Sequence, residues 1–323
     1  MLAKPSAYLN ADEVRLLRRK SDVVGALLVL HAWGLIFGAM ALFVWWPNPF
    51  SFVLAVMVIG ARQLGLAILM HDAAHGLLFH HRTLNDWVGV WLCGAPVGAS
   101  MALYRPYHLQ HHRHTQQPDD PDLGLSAPFP ISRASLRRKI VRDLLGRTAV
   151  QRRGEQVRRG LGSPTESFAS RVGNLLRREA AFFLTNAALW VSLAVAGYWW
   201  LYPALWLLPL ATWYQLVSRI RNIAEHAVVP DNDDPLRNTR TTYATWWERL
   251  FIAPYWVNYH LEHHLFLFVP CWRLTAAHKV LLAKGHGPRM ELRRSYLEVL
   301  KRATSRLTDD PRDVSRPRGA QYI

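Results

Sequence analysis

Three histidine clusters carry the chemistry in this chain: His71-Asp72-Ala73-Ala74-His75, His108-Leu109-Gln110-His111-His112 and His260-Leu261-Glu262-His263-His264. Residues three and four apart share a helical face, so on a helix each cluster presents its imidazoles together, as metal ligands must be. A lone histidine is more often a structural residue than a ligand, but two copies of His-x-x-His-His in one chain are not a chance pattern. Asn222-Ile223-Ala224-Glu225-His226 is a weaker fourth element, in which Asn222 and His226 again share a face. Imidazole suits iron, and a set this large serves two ions rather than one, whereas structural zinc takes four ligands and catalytic zinc usually three. The segment from His260 to His263 also lacks the glutamate-second order of the usual metalloprotease helix. With only Cys93 and Cys271 present, no cysteine-built zinc ribbon or iron–sulfur cluster can be assembled within one chain. Nitrogen and oxygen must hold the metal.

The elements that position these clusters are apolar. Val23–Trp46, Phe50–Met70 and Ala180–Tyr202 each meet the roughly 20-residue length that a helix needs to cross about 30 Å of hydrocarbon, and Pro203–Ile220 is a shorter fourth candidate. Tryptophan-flanked proline turns at Trp45-Trp46-Pro47-Asn48-Pro49 and Trp199-Trp200-Leu201-Tyr202-Pro203 pair these stretches into two hairpins. Between the hairpins, Trp87–Leu103 is apolar but interrupted by Gly89, Gly94, Pro96 and Gly98, and reads as re-entrant or interfacial. Were it to cross, the clusters on its two sides could not share one site. The expected architecture is all-α and integral to a membrane: four spans in two hairpins, a re-entrant segment and a cytoplasmic histidine-rich helical cap. Residues 1–22 read as a basic N-terminus, 23–278 as the membrane domain and 279–323 as a basic tail. No cleaved signal peptide is expected, because no small-residue cleavage site follows a short apolar core.

The net charge of +16 would suit a nucleic-acid partner, but its distribution fits a membrane better. Arginines fill the segment from Arg133 to Arg178 and recur from Arg289 to Arg318, where the positive-inside rule places cytoplasmic segments. A docking surface for an acidic electron donor is the second reading of the same charge. High arginine and low lysine usage points to a GC-rich bacterial source, and so to an inner membrane. Arg62-Gln63 interrupts the second apolar stretch, where a charge is costly. It either snorkels or pairs with a buried acid, or it lines a substrate tunnel.

At its histidine clusters, and from about Val23 to His278, the chain resembles the membrane fatty acid desaturase family, most strongly in the boxes and from Arg221 to Pro270. The resemblance implies two iron ions held almost wholly by histidine, with dioxygen as co-substrate. Carried over by residue, the ligands are His71, His75, His108, His111, His112, His226, His260, His263 and His264, with Asn222 acting through water. The first box has three residues between its histidines, where some members have four. The implied reaction is desaturation of a lipid-linked or thioester-linked acyl chain. Hydroxylation and carotenoid-type ketolation are its neighbours on the same scaffold.

Removing hydrogen from an unactivated alkyl chain needs a redox metal, because no side chain is a sufficient oxidant. No haem-binding extension or iron–sulfur ligand set is evident, so electrons must come from a separate ferredoxin, rubredoxin or cytochrome. A membrane metal transporter would spread its ligands through the membrane's depth, whereas these gather at one end of the spans. Asp72, Glu225 and Glu262 either orient ligand rings or are solvated carboxylates. Tyr104, Trp256, Asn258 and Tyr259 flank boxes and read first as core packing. His31, His80, His81, His114, His278 and His286 match no box position. Of these, His31 reads as a core or lipid-facing residue, and His80, His81 and His114 as interfacial or supporting residues.

Overall fold

The computed structural model describes residues 4–306, and the end of the expected basic tail, including Arg312, Arg316 and Arg318, lies outside them. The N-terminal segment forms α1 (Ala11–Leu17), whose capping box pairs Asn10 with Glu13. Leu9 and Leu17 are buried in the main core, so this segment packs on the body. Next come α2 (Asp22–Trp45), capped by Ser21, and α3 (Pro49–Ala74), whose start is set by Pro49 and an Asn48 cap. These two helices are long and apolar enough to cross a membrane. They differ in surroundings: the apolar window of α2 is 22% buried, that of α3 67%. Thus α3 is the central post of the fold, and α2 turns most of its surface outward.

Gly25 sets how closely α2 lies against the chain just beyond α3. A Cβ there would stand 2.2 Å from the backbone oxygen of Leu78, which cannot swing aside as a side chain would. Gly25→Ala is therefore expected to cost about 1–3 kcal/mol. The check is thermal unfolding in detergent, and an unchanged midpoint would contradict the close packing.

After α3 the chain forms α4 (Arg82–Val88), a π-helical turn (Gly89–Gly94), α5 (Ala95–Val97) and α6 (Met101–His114). The pair Arg82–Val97 and Met101–His114 is bent by 94°, at a break containing Gly98 in the left-handed region (φ 73°). Arg153 donates to the carbonyls of Val97 and Gly98 and pins this corner. Chain interruption by glycine and proline at Trp87–Leu103 thus takes the form of a sharp bend.

The arginine-rich middle forms α7 (Leu123–Ser126), α8 (Arg133–Leu144), α9 (Arg147–Leu161) and α10 (Phe168–Arg178). The third apolar stretch is not one long helix. It gives α11 (Ala180–Val195), 16 residues or about 24 Å, which stops at Gly197 with φ 85°. A π-helical segment (Tyr202–Leu207) and α12 (Leu208–Ala211) follow, and the backbone breaks at Thr212 before α13 (Trp213–His226). Pro203–Ile220 is therefore also broken rather than continuous, with Pro203 and Pro209 removing backbone donors.

The remaining chain contributes β1 (Thr241–Thr242), α14 (Trp246–Phe251), α15 (His260–Leu265), α16 (Leu274–Ala283), β2 (Leu292–Arg293) and α17 (Tyr296–Ala303). β1 and β2 run parallel, with Thr241 opposite Leu292 and Thr242 opposite Arg293. Apart from this short pairing the regular structure of the described residues is helical, as expected. Residues from 279 onward, read from sequence as a tail, here supply the end of α16, a strand, and a helix whose Tyr296 and Val299 pack in a core with Ile223 and Ala224 of α13.

Among the described residues Arg62 has no acid partner. Its Nη2 donates to the carbonyls of Arg249 and Leu250, at 2.9 Å each, and so ties α3 to the end of α14. Its neighbour Gln63 donates to the carbonyl of Trp206 at 2.8 Å.

Candidate metal centre

The nine histidines named from sequence converge in two groups: His71, His75, His108, His112 and His263 in one, and His111, His226, His260 and His264 in the other. Within each group the nitrogens lie within 4.8 Å of one another. The division follows from helix geometry. At about 100° per residue, positions i and i+4 stand only about 40° apart, while the adjacent pair i+3 and i+4 diverges by about 100°. His108 and His112 (i, i+4) accordingly join one group and His111 (i+3) the other. In the third box His260 and His264 stay together and His263 crosses over. Each His-x-x-His-His thus feeds both groups, and the two must adjoin.

The contacts within the groups are nitrogen to nitrogen. His263 Nε2 lies 3.0 Å from His71 Nε2 and 2.9 Å from His112 Nε2, and His112 Nε2 lies 2.7 Å from His108 Nε2. In the second group His260 Nε2 and His226 Nε2 are 2.8 Å apart. Several of the other ring nitrogens are engaged from outside, while His112 Nδ1 and His226 Nδ1 are buried without a partner. His111 Nδ1 is 2.7 Å from Asp120 Oδ1, and His264 Nδ1 is 3.1 Å from Thr115 Oγ1. Glu225 lies 3.5 Å from His260 Nδ1, and Asp72 3.7 Å from His71 Nδ1. A ring that donates Nδ1–H outward keeps a lone pair at Nε2 pointing inward. Burial, and secondarily the neighbouring imidazoles, hold His260, His263 and His264 well below the usual histidine range, so they are neutral at pH 7. His75 Nε2 and His264 Nε2 are buried without a partner. Inward lone pairs on neutral, buried rings are what a pair of cations would satisfy, and the donor set, all nitrogen, fits iron.

A cavity of about 50 Å³ opens beside the groups, room for more than one water-sized occupant. Asn222 lines it, as do Tyr104, Arg221, Glu225 and Tyr255. Asn222 Oδ1 accepts from Arg221 Nη2 at 2.7 Å. Tyr104, read first as packing, stacks on the ring of His108 with centroids 4.9 Å apart. Asn258 takes a packing role, donating to the carbonyl of Thr242.

Glu262 touches no box nitrogen. It binds His278 Nδ1 at 2.6 Å and the hydroxyl of Thr241, while His278 Nε2 meets the hydroxyl of Tyr243. His278 therefore anchors the third box from behind. His80 pairs with Asp22, away from the groups. Sequence reasoning missed Asp120 and Thr115; the run Asp119-Asp120-Pro121-Asp122 soon after the second box is the signal that could have pointed to the first. Asp120 also accepts from the backbone N–H of Gln116 and Asp122, which fixes it in place. Asp120→Asn is expected to weaken iron retention about 10–100-fold, read by competition with a chelator. Unchanged retention would show that Asp120 does not support His111 as a ligand.

Two converging histidine groups, carried by α3 and the turn at its end, α6, α13 and α15, define a candidate site for metal ions. The chain belongs to the fatty acid desaturase family, whose sequence profile matches residues 44–294. It is 26% identical over 274 residues to dihydrorhizobitoxine desaturase of Bradyrhizobium elkanii, covering 81% of this chain and 76% of that one. It is also 27% identical over 255 residues to a beta-carotene ketolase of Paracoccus sp. strain PC1 (78% and 87%), and 24% identical over 279 residues to that of strain N81106 (85% and 95%). The family is membrane-associated and known for iron centres, and these relatives place the chain among enzymes of desaturase and hydroxylase type.

Proposed function

We propose that this protein desaturates a fatty acyl chain, lipid-linked or thioester-linked, using dioxygen and electrons from a separate ferredoxin, rubredoxin or cytochrome. The observation that carries the reading is the convergence of nine histidines into two adjoining groups. Two irons bound there would supply the oxidising power for removing hydrogen from an alkyl chain. His71, His75, His108, His112 and His263 would hold one, and His111, His226, His260 and His264 the other. Asn222 would hold a water beside them. The protein's own part is to keep these rings aimed inward, through Asp120, Thr115 and Glu225, and to close the cavity with Tyr104 and Tyr255.

For the topology we adopt four spans. α2 and α3 form the first hairpin, α11 and the broken run Tyr202–His226 the second, and the 94° corner at Gly98 is re-entrant. The histidine groups and the arginine-rich helices α8–α10 then lie on the cytoplasmic side of a bacterial inner membrane. Both termini share that side. The N-terminus through residue 22, a membrane domain to 278 and the segment beyond remain the working division.

Similarity to carotene ketolases favours a second outcome, retention of oxygen in the product. Expression in a desaturase-deficient host followed by lipid profiling decides between them. A new double bond supports desaturation, a hydroxyl or keto group supports the second outcome, and unchanged lipids overturn both. Metal analysis of the purified protein should find about two irons per chain. Zinc in their place, with iron supplied, would overturn the iron reading.

A further inference from the structure

A second cavity, of about 410 Å³, lies between α2, α3 and the chain around α14. Its chemistry is unlike that of the histidine site. Arg62 and Arg249 line it together with His31, and no aspartate or glutamate is among its described lining residues. Arg62 is 3% exposed, and its Nε is buried with no hydrogen-bond partner, since the bonds to the carbonyls of Arg249 and Leu250 use Nη2. The Arg249 side chain is exposed and forms no hydrogen bond or ion pair with another described residue. An unbalanced pair of guanidiniums at an apolar wall calls for an anion.

The walls say what kind of anion. Val24, Leu27 and Trp256 are apolar, and Leu27 and Leu30 on the same helix are 58% and 66% exposed, on the face α2 turns outward. On α14, Trp246 and Trp247 are also exposed, as tryptophans at a membrane interface are. The pocket therefore borders the outer surface of a membrane helix beside interfacial tryptophans. That is where basic pockets between spans take lipid head groups. A small soluble anion would find no use for the apolar wall.

We propose that this pocket binds an anionic membrane phospholipid, its phosphate between Arg62 and Arg249 and its acyl chains along the outward face of α2. His31 supplies a further polar contact at the rim. Bound lipid would also touch the catalytic cavity's wall, because Tyr255 lines both cavities. The Arg62 guanidinium sits 5.5 Å from the Tyr255 ring centroid, and the Tyr255 hydroxyl is 3.0 Å from His31 Nδ1. Lipid occupancy thus fixes one side of the oxidation site without entering it.

The test uses the full-length protein in mild detergent, with phosphatidylglycerol or phosphatidylcholine added and retained lipid read by native mass spectrometry. The wild type should retain phosphatidylglycerol over phosphatidylcholine, and Arg249→Gln should lower that preference about fivefold. Arg62→Gln should abolish it, but this buried residue also ties two helices, so the exposed Arg249 carries the test. Equal retention of both lipids by the wild type, or an unchanged preference in Arg249→Gln, overturns the proposal. So does displacement of phosphatidylglycerol by equimolar oleate, which would assign the pocket to a fatty carboxylate. Binding is read without turnover and on metal-free protein as well, so its failure is distinct from failure of the oxidation reading.

Discussion

Replacing His263 by alanine is expected to reduce turnover to background, a loss of more than about 100-fold, and to lower iron content to half or less of the wild-type value. This residue joins three elements of the fold. Its Nε2 reaches His71 of α3 and His112 of α6, at 3.0 and 2.9 Å, from α15. Its ring also lies 5.0 Å, centroid to centroid, from that of His75. An alanine there leaves a hole in the five-histidine group that no neighbouring donor can fill, because the next residue, His264, diverges by about 100° around the helix. A control distinguishes this from general damage. His278→Ala removes the partner of Glu262 behind the third box while leaving all nine grouped histidines present. That variant should retain most of its iron and lose activity less severely. Full iron retention in His263→Ala, by elemental analysis, would sink the assignment of the first group.

The box histidines were legible in the sequence because their chemistry depends on local periodicity. Positions i, i+3 and i+4 share a helical face whatever the helix packs against. Their distribution between two groups is a further consequence of the same 100° step, although it needs the boxes to face one another. The long-range partners were not legible. Asp120 reaches His111 only because the chain turns back after α6, and Glu262 reaches His278 across 16 residues rather than bonding its own box. Similarly, apolar length found α2 and α3, whose residues form unbroken helices. It overstated the later stretches, where Gly197, Pro203 and Pro209 stop the backbone ladder inside apolar sequence. The charge at Arg62 illustrates both sides: its oddity was visible, but its carbonyl partners on α14, 187 and 188 residues away, were not.

Arg240→Ala is expected to produce the largest loss of stability, about 3–5 kcal/mol. Arg240 is 1% exposed, and three of its hydrogen bonds go to the end of the helix that carries His226. Nη1 donates to the carbonyl of Ala224, Nη2 to those of Ala227 and Val228, and Nε to Glu291, all at 2.9–3.0 Å. The first three carbonyls are at or just past the C-terminus of α13, where the helix itself offers no partner and a cation is favoured. Glu291 ties the same cation to the chain entering β2, so one side chain joins α13 to the two-stranded pairing. Removing it strands three carbonyls and leaves the carboxylate of Glu291 to Arg293 alone, which is why the cost should exceed that of an ordinary ion pair. Arg240→Lys should restore only part of the loss, since an ammonium cannot reproduce the planar fork. The second histidine group should fail before the first, because His226 sits at the released helix end. The check is thermal unfolding in detergent alongside iron content. A midpoint unchanged in Arg240→Ala would show that this side chain does not hold α13 in place, and full rescue by lysine would show that charge alone, without the fork, is enough.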